Sequence, residues 1–390
     1  MYINRIAEQT LAAILGGSKV GIVLGARQVG KTTLVQHVLQ GSGALVLNFD
    51  VEVDKARFLA AAALPPPEAL RSLGSPPVLV VDEAQRLPEA ARIVKGWHDV
   101  RLPVTIVLLG SSSLDLLDQT AESLTGRNRK LVLPPLLFAE TLASQPWAAP
   151  ALPRDHLRQH FAPQLRAWLL QRLAFGSYPE VILSPDPVPL LRELSADYLW
   201  KDILQTGLVK TPDLIRRLLL LLAHQAGAEV SVNELATQLS MARPTVERYL
   251  DLLEQTFVIF RLPSFSTNPR KEIAKGRKVF FWDTGIRNAL LNAFSTDALR
   301  PDIGALWESW VIAEVAKHNA LRGAPAELFF WRSRAQSEVD LVVKHGDRLL
   351  AFEIKWSGRR ATGRAFRDAY GVAVEPLGPD DPFVADRLVG

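Results

Sequence analysis

One stretch restricts this chain more than any other: Gly25-Ala26-Arg27-Gln28-Val29-Gly30-Lys31-Thr32, which fits G-x-x-x-x-G-K-[ST] in full and is followed by Thr33. The motif functions only where a buried strand turns into a helix. There the glycines let the backbone curl so that its N–H groups face phosphate oxygens, and the helix N-terminus adds a favourable dipole. The flanks meet that requirement, with apolar Gly21–Leu24 before the loop and a helical pattern over 31–39 after it. In this reading Gly25, Ala26, Arg27, Gln28, Val29, Gly30, Lys31, Thr32 and Thr33 cradle a nucleotide. Lys31 reaches the β- and γ-phosphates, and the Thr32 hydroxyl coordinates Mg²⁺.

The rest of the first third follows from that loop. Short apolar runs at Ala44–Phe49, Val78–Val81 and Val104–Leu109 alternate with helical stretches. This is the signature of an α/β domain with a buried parallel sheet. The run at Val78–Val81 ends in Asp82 and Glu83. After a phosphate loop, such a pair places Asp82 on Mg²⁺ and Glu83 on the attacking water. The next run ends in Gly110-Ser111-Ser112-Ser113, where Ser111 or Ser112 either bonds the γ-phosphate or caps the next helix. Arg127 has three open roles: a γ-phosphate sensor, a finger entering the site of a neighbouring copy in a homo-oligomer, or a surface arginine.

Length and composition bound the remainder. At 390 residues the chain holds two or three domains, and 48% hydrophobic with 22% charged residues is ordinary for a globular protein. There is no cysteine, which excludes a disulfide framework, cysteine-based metal centres and thiol catalysis. A metal here is expected to be a hard, oxygen-bound cation such as Mg²⁺. The first residues carry Arg5 and Glu8 and no long apolar core, and Leu218–Ala223 is too short to cross a bilayer. A cytoplasmic protein without a membrane partner is expected. The net charge of +4 is modest, but lysine and arginine gather at 243–248, 270–278 and 355–367, which favours nucleic acid as a partner.

Beyond the first domain, 147–212 reads as a helical lid or linker broken at Gly176-Ser177-Tyr178-Pro179. Residues 213–264 read as a winged helix-turn-helix. A short amphipathic helix at 232–239 and a turn at 240–242 precede a second helix, with Pro244 near its start and Val246, Tyr249, Leu250 and Leu253 on one face. Arg243 and Arg248 suit phosphate contacts, although such a module also serves protein contact, and the fold leaves both open. Residues 264–278 read as a basic loop. Farther on, Asp340 opens an apolar strand, and Glu353 and Lys355 share one face of the next. With Glu308 on the preceding helix they form a D-(x)n-E-x-K pattern that can hold a divalent metal and activate water. The alternatives are a degenerate fold used for binding and ordinary edge-strand charges.

Taken together, the motifs resemble a bacterial and archaeal family of AAA-type ATPases with a C-terminal domain of unknown function related to PD-(D/E)XK nucleases. The resemblance rests on Gly25–Thr33, Val81–Gln85, Gly110–Ser113, Leu124–Arg127, Gly176–Glu180, Phe281–Gly285, Leu306–Glu314, Trp331-Arg332, Glu338–Asp340 and Glu353–Lys355. Val339 stands where the nuclease motif has proline, a position that is not a ligand. The resemblance implies ATP and Mg²⁺ as ligands. The expected architecture is α/β: a P-loop NTPase parallel sheet over 1–146, a helical region over 147–212, the winged helix over 213–264 and a restriction-endonuclease-like α/β domain over 265–390. The leading expectation is an Mg²⁺-dependent ATPase acting on DNA or a protein partner, with metal-dependent nuclease activity in the last domain left open. The rival is a non-cleaving switch in which nucleotide controls binding.

Overall fold

The computed structural model describes residues 2–111, 124–148, 152–198, 212–266, 276–323, 325–333, 335–357 and 363–389. Ser112, Ser113 and the basic stretches 267–275 and 358–362 lie outside them. The chain divides into two compact units: Asn4–Pro134 with Gln255–Phe257, and Pro135–Glu254 with Met1–Ile3 and Val258–Gly390.

The first unit is a five-stranded sheet with helices. Its strands are β1 (Val20–Leu24), β2 (Leu45–Asn48), β3 (Val78–Asp82), β4 (Thr105–Gly110) and β5 (Asn128–Val132), in the order β2-β3-β4-β1-β5. Every pairing is parallel. All five residues of β1 are buried, as in a central strand covered on both faces. The helices are α1 (Ala7–Leu15), α2 (Lys31–Val38), α3 (Glu52–Ala62), α4 (Pro66–Ser72) and α5 (Ala90–Asp99). In α5 the buried residues Ala90, Ala91, Val94 and Trp97 recur at helical spacing and face the sheet. Phe58 of α3 fills the space between Phe49 and Trp97, with ring centroids 5.1 and 5.3 Å away. Burying such a ring contributes about 1.5–3 kcal/mol.

The second unit does not follow the expected boundaries. It begins at Pro135, and the helices of 147–212 form no detached linker. One core runs from Leu136 and Phe138 through Trp168 and Leu169 to Trp307, Trp310, Leu341, Phe352 and Leu388. Its helices include α6 (Ala162–Phe175), α7 (Pro212–His224), α8 (Val232–Leu239), α9 (Arg243–Gln255), α10 (Thr284–Leu291) and α11 (Ile303–Ala320). Eleven of the twelve residues of α11 from Leu306 to Lys317 are buried, all but Glu308, so the helix is covered almost all round, which marks a central helix.

Two sheets complete this unit. β6 (Glu229–Val230), β8 (Arg277–Phe281) and β7 (Ile259–Pro263) form an antiparallel sheet with β8 in the middle. The expected division after residue 264 would cut this sheet, and Arg277 and Lys278 belong to a strand rather than to a loop. β9 (Glu327–Arg332), β10 (Glu338–His345) and β11 (Arg348–Ile354) follow α11 as an antiparallel meander. α12 (Arg364–Tyr370) then leads to β12 (Val374–Leu377), which pairs parallel to β11. No helix among the described residues is long and apolar enough to cross a membrane.

Candidate functional site

The phosphate loop joins β1 to α2, as its motif requires. Gly25 is fixed by close approach, because a Cβ there would stand 2.2 Å from the Leu133 carbonyl oxygen. Inside the loop the buried Lys31 ammonium donates to the carbonyls of Gly25 and Ala26, both at 2.9 Å. Val29 is buried, Arg27 and Gln28 are half-buried and Thr33 is exposed.

The acidic strand end lies within reach. The Thr32 hydroxyl donates to Asp82 Oδ2 at 2.6 Å, and the Glu83 N–H donates to Asp82 Oδ1 at 2.9 Å. The Gln85 amide donates to Glu83 Oε2 at 2.5 Å and to Ser111 Oγ at 3.0 Å. Burial raises the Glu83 carboxyl above the ordinary carboxylate range, against the pull of Lys31 and Arg27. The structure thus gathers residues 25–33, Asp82, Glu83 and Ser111 at one end of the sheet.

Arg127 does not join them. Its residue precedes β5, and its carbonyl accepts from Val20 N–H at the start of β1, the opposite end from the loop. Its guanidinium pairs with Asp99 at 2.6 Å. A γ-phosphate sensor within the same copy is therefore ruled out by position.

Two further residues matter that sequence reasoning did not place. Arg5, only 6% exposed, donates to the Val29 carbonyl at 3.0 Å and the Pro134 carbonyl at 2.8 Å, fastening the loop from behind. Gln85 is visible in the Asp-Glu-Ala-Gln run, but its bridge to Ser111 depends on the neighbouring strand.

In the second unit Glu308, Asp340, Glu353 and Lys355 do converge. With Glu229, Lys278, Arg332 and Glu338 they line a cavity of about 710 Å³. Asp340 Oδ2 accepts from Ile354 N–H at 2.6 Å, and Lys355 pairs with Glu353 at 3.2 Å. Lys278, on β8 rather than in the expected basic loop, is buried here and pairs with Glu308 at 3.0 Å and Glu338 at 2.5 Å. Burial pushes the Glu308 carboxyl up to about 7, opposed by Lys278. Burial also raises Asp340. Among the described residues no group of three or more histidine, aspartate or glutamate side chains is arranged to hold a metal ion.

Two other sequence motifs meet in the second unit. Gly176 has φ +70°, and a Cβ there would lie 1.8 Å from Asp283 Oδ1. The Asp283 carboxylate accepts from the N–H groups of Ser177 at 2.7 Å and Gly285 at 2.9 Å. Thus Gly176-Ser177 and Asp283-Thr284-Gly285 form one buried joint. Arg243 pairs with Glu247 at 3.0 Å, and the Arg248 guanidinium lies 5.7 Å from the Tyr249 ring centroid.

Comparison with known proteins matches these blocks. Residues 17–142 fit the model of an AAA domain. Residues 166–297 and 303–379 fit two domains of unknown function, DUF8612 and DUF4143. An uncharacterized Mycobacterium tuberculosis protein, Rv2008c, is 31% identical over 371 residues, spanning 94% of this chain and 77% of its own length. An uncharacterized protein of Methanocaldococcus jannaschii, MJ1544, is 24% identical over 348 residues, spanning 84% of this chain and 72% of its own. Among solved structures, a Walker-type ATPase of Pyrococcus abyssi superposes with a TM-score of 0.52 at 14% identity, over 74% of this chain and 96% of its own. That likeness concerns the fold alone.

Proposed function

Because the chain belongs to the family of the mycobacterial protein Rv2008c, with an AAA-type ATPase domain ahead of two domains of unknown function, we propose that it hydrolyses ATP with Mg²⁺ and uses the nucleotide state to control binding of DNA. The observation that carries the ATPase part is the Thr32–Asp82 hydrogen bond at 2.6 Å. It joins the hydroxyl of the phosphate loop to the carboxylate of the acidic strand, the two protein groups that an Mg²⁺–nucleotide complex needs. Gly25 fits the same reading, since its place against Leu133 leaves no room for a side chain.

In this reading Thr32 and Asp82 hold the Mg²⁺, which neutralises charge on the phosphate oxygens when bound. Lys31 supplies a fixed positive charge to the γ-phosphate. Glu83 accepts the proton of the attacking water as its oxygen bonds to the γ-phosphorus and the bond to the β-phosphate oxygen breaks. Gln85 and Ser111 fix the rotamer of Glu83. The test is Lys31→Ala. Turnover of ATP falls by about 10²–10³-fold, in the range for loss of one charge-stabilising group. Equal turnover in the two proteins, with and without DNA, would sink the proposal.

DNA as partner is supported by the order of elements from α7 to β8: helix, strand, two helices, two strands, with a three-stranded antiparallel sheet. That is the order of a winged helix. A gel-shift titration with duplex DNA, with and without ATP, checks it; affinity that ignores nucleotide would reject the coupling. The last block has a helix, three antiparallel strands, a helix and a parallel strand, and its Asp340, Glu353 and Lys355 share a cavity, which supports a nuclease-like fold. The ion pairs inside that cavity favour the non-cleaving alternative for this chain.

A further inference from the structure

A divalent cation in the C-terminal cavity would need carboxylates that are mutually close and short of positive charge. The lining does not fit. Five acids, Glu229, Glu308, Glu338, Asp340 and Glu353, face three bases, Lys278, Arg332 and Lys355. Lys278 contacts both Glu308 and Glu338, at 3.0 and 2.5 Å, and its side chain is 5% exposed. Arg332 contacts Glu229 at 3.3 Å and Glu338 at 3.6 Å, and Lys355 contacts Glu353 at 3.2 Å. Four of the five acids thus have a cationic partner, and the fifth, Asp340, is bonded to Ile354 N–H.

Lys278 is the most deeply buried of the three bases. It enters from β8, the middle strand of the other sheet, opposite Glu229 of β6 and Leu262 of β7. The register holds its Cα in place from both sides. Its ammonium also lies 5.5 Å from the Phe330 ring centroid, an attraction that adds to the two ion pairs. A buried ammonium so placed supplies positive charge to the acids around it.

We propose that Lys278 is a resident cation that takes the place of a divalent metal in this cavity, so that the native chain neither binds a metal at Asp340 and Glu353 nor cleaves nucleic acid there. The inference rests on the cavity alone and stands whether or not the first unit hydrolyses ATP. It makes a prediction opposite to the usual one for a charge deletion. Lys278→Met keeps most of the side-chain volume but removes the ammonium paired with Glu308 and Glu338, leaving Lys355 as the positive neighbour of Glu308 and Asp340, and the cavity then acquires affinity for a divalent cation.

The experiment is a titration of the full chain with Mn²⁺, without nucleotide, read by the loss of the free-ion electron paramagnetic resonance signal. The wild type shows no site that Asp340→Asn removes. Lys278→Met gains one Mn²⁺ per chain, lost again in Lys278→Met with Asp340→Asn, and its melting temperature rises with added Mn²⁺. Lys278→Arg, which keeps the charge, gains none. A wild-type Mn²⁺ site abolished by Asp340→Asn would overturn the inference. So would a folded Lys278→Met protein that gains no site. Should Lys278→Met fail to fold, the wild-type titration still decides.

Discussion

The two units each gather carboxylates, and they satisfy them in different ways. Asp82 in the first unit bonds a hydroxyl and a backbone N–H. Both of these partners are neutral. Glu308 and Glu338 in the second unit bond the ammonium of Lys278, and their charge is spent inside the chain. The contrast shows that an acidic motif by itself says little about metal chemistry. What the acids are bonded to decides whether a site asks for a cation or already contains one.

The contrast can be broken most directly at Glu83, just after β3, and at Glu353 in β11. Glu83→Gln is expected to cut ATP turnover by about 10²–10⁴-fold, as for loss of a general base, while nucleotide affinity is kept. Glu353→Gln is expected to leave turnover unchanged; a comparable loss there would mean the units do not differ as described. The pH profile sharpens the point. Glu83 must be deprotonated to act, and burial raises its pKa. Turnover should therefore fall on acidification at a pH above the usual carboxylate range, and Glu83→Gln should lack that limb.

Arg5→Ala tests whether the first site depends on its support. It leaves the Val29 and Pro134 carbonyls without their buried donor, at a cost of about 1–3 kcal/mol for each unpaired group. Thermal unfolding should drop accordingly, and the KM for ATP should rise more than kcat falls. A melting temperature equal to that of wild type would remove Arg5 from the loop's support. The smallest effect is expected at Arg127→Ala. Its partner Asp99 is on the surface at the far end of the sheet, so turnover at low protein concentration should not change. Loss of activity that appears only as copies associate would restore the finger role in trans.

Much of the first unit could be read from residues, because buried parallel strands are nearly all apolar. β1, β3 and β4 are of this kind, and the loop motif fixed where the phosphate end lies. β5 escaped because Asn128-Arg129-Lys130 is polar, as an edge strand can be, with Arg129 and Lys130 exposed. The C-terminal acids were found from their strand pattern, and they do share a cavity. Their neutralising partner was hidden for a physical reason. Arg277-Lys278 looks solvated by composition, and the acids that bury Lys278 come from a helix 30 residues away and from a strand farther on. Arg5 was unreadable on the same grounds, since its acceptors lie 24 and 129 residues downstream. Local pattern reports what a strand is made of. It does not report which distant carbonyl or carboxylate will meet a long cationic side chain.

The place of β8 between β6 and β7 has a consequence for dissecting the chain. A fragment ending at residue 264 keeps the two outer strands and loses the one that pairs with both. Its Ile259–Pro263 segment would then expose backbone donors and acceptors along an apolar ribbon, a template for other chains. Such a fragment should behave as a self-adhesive surface rather than as a smaller soluble module.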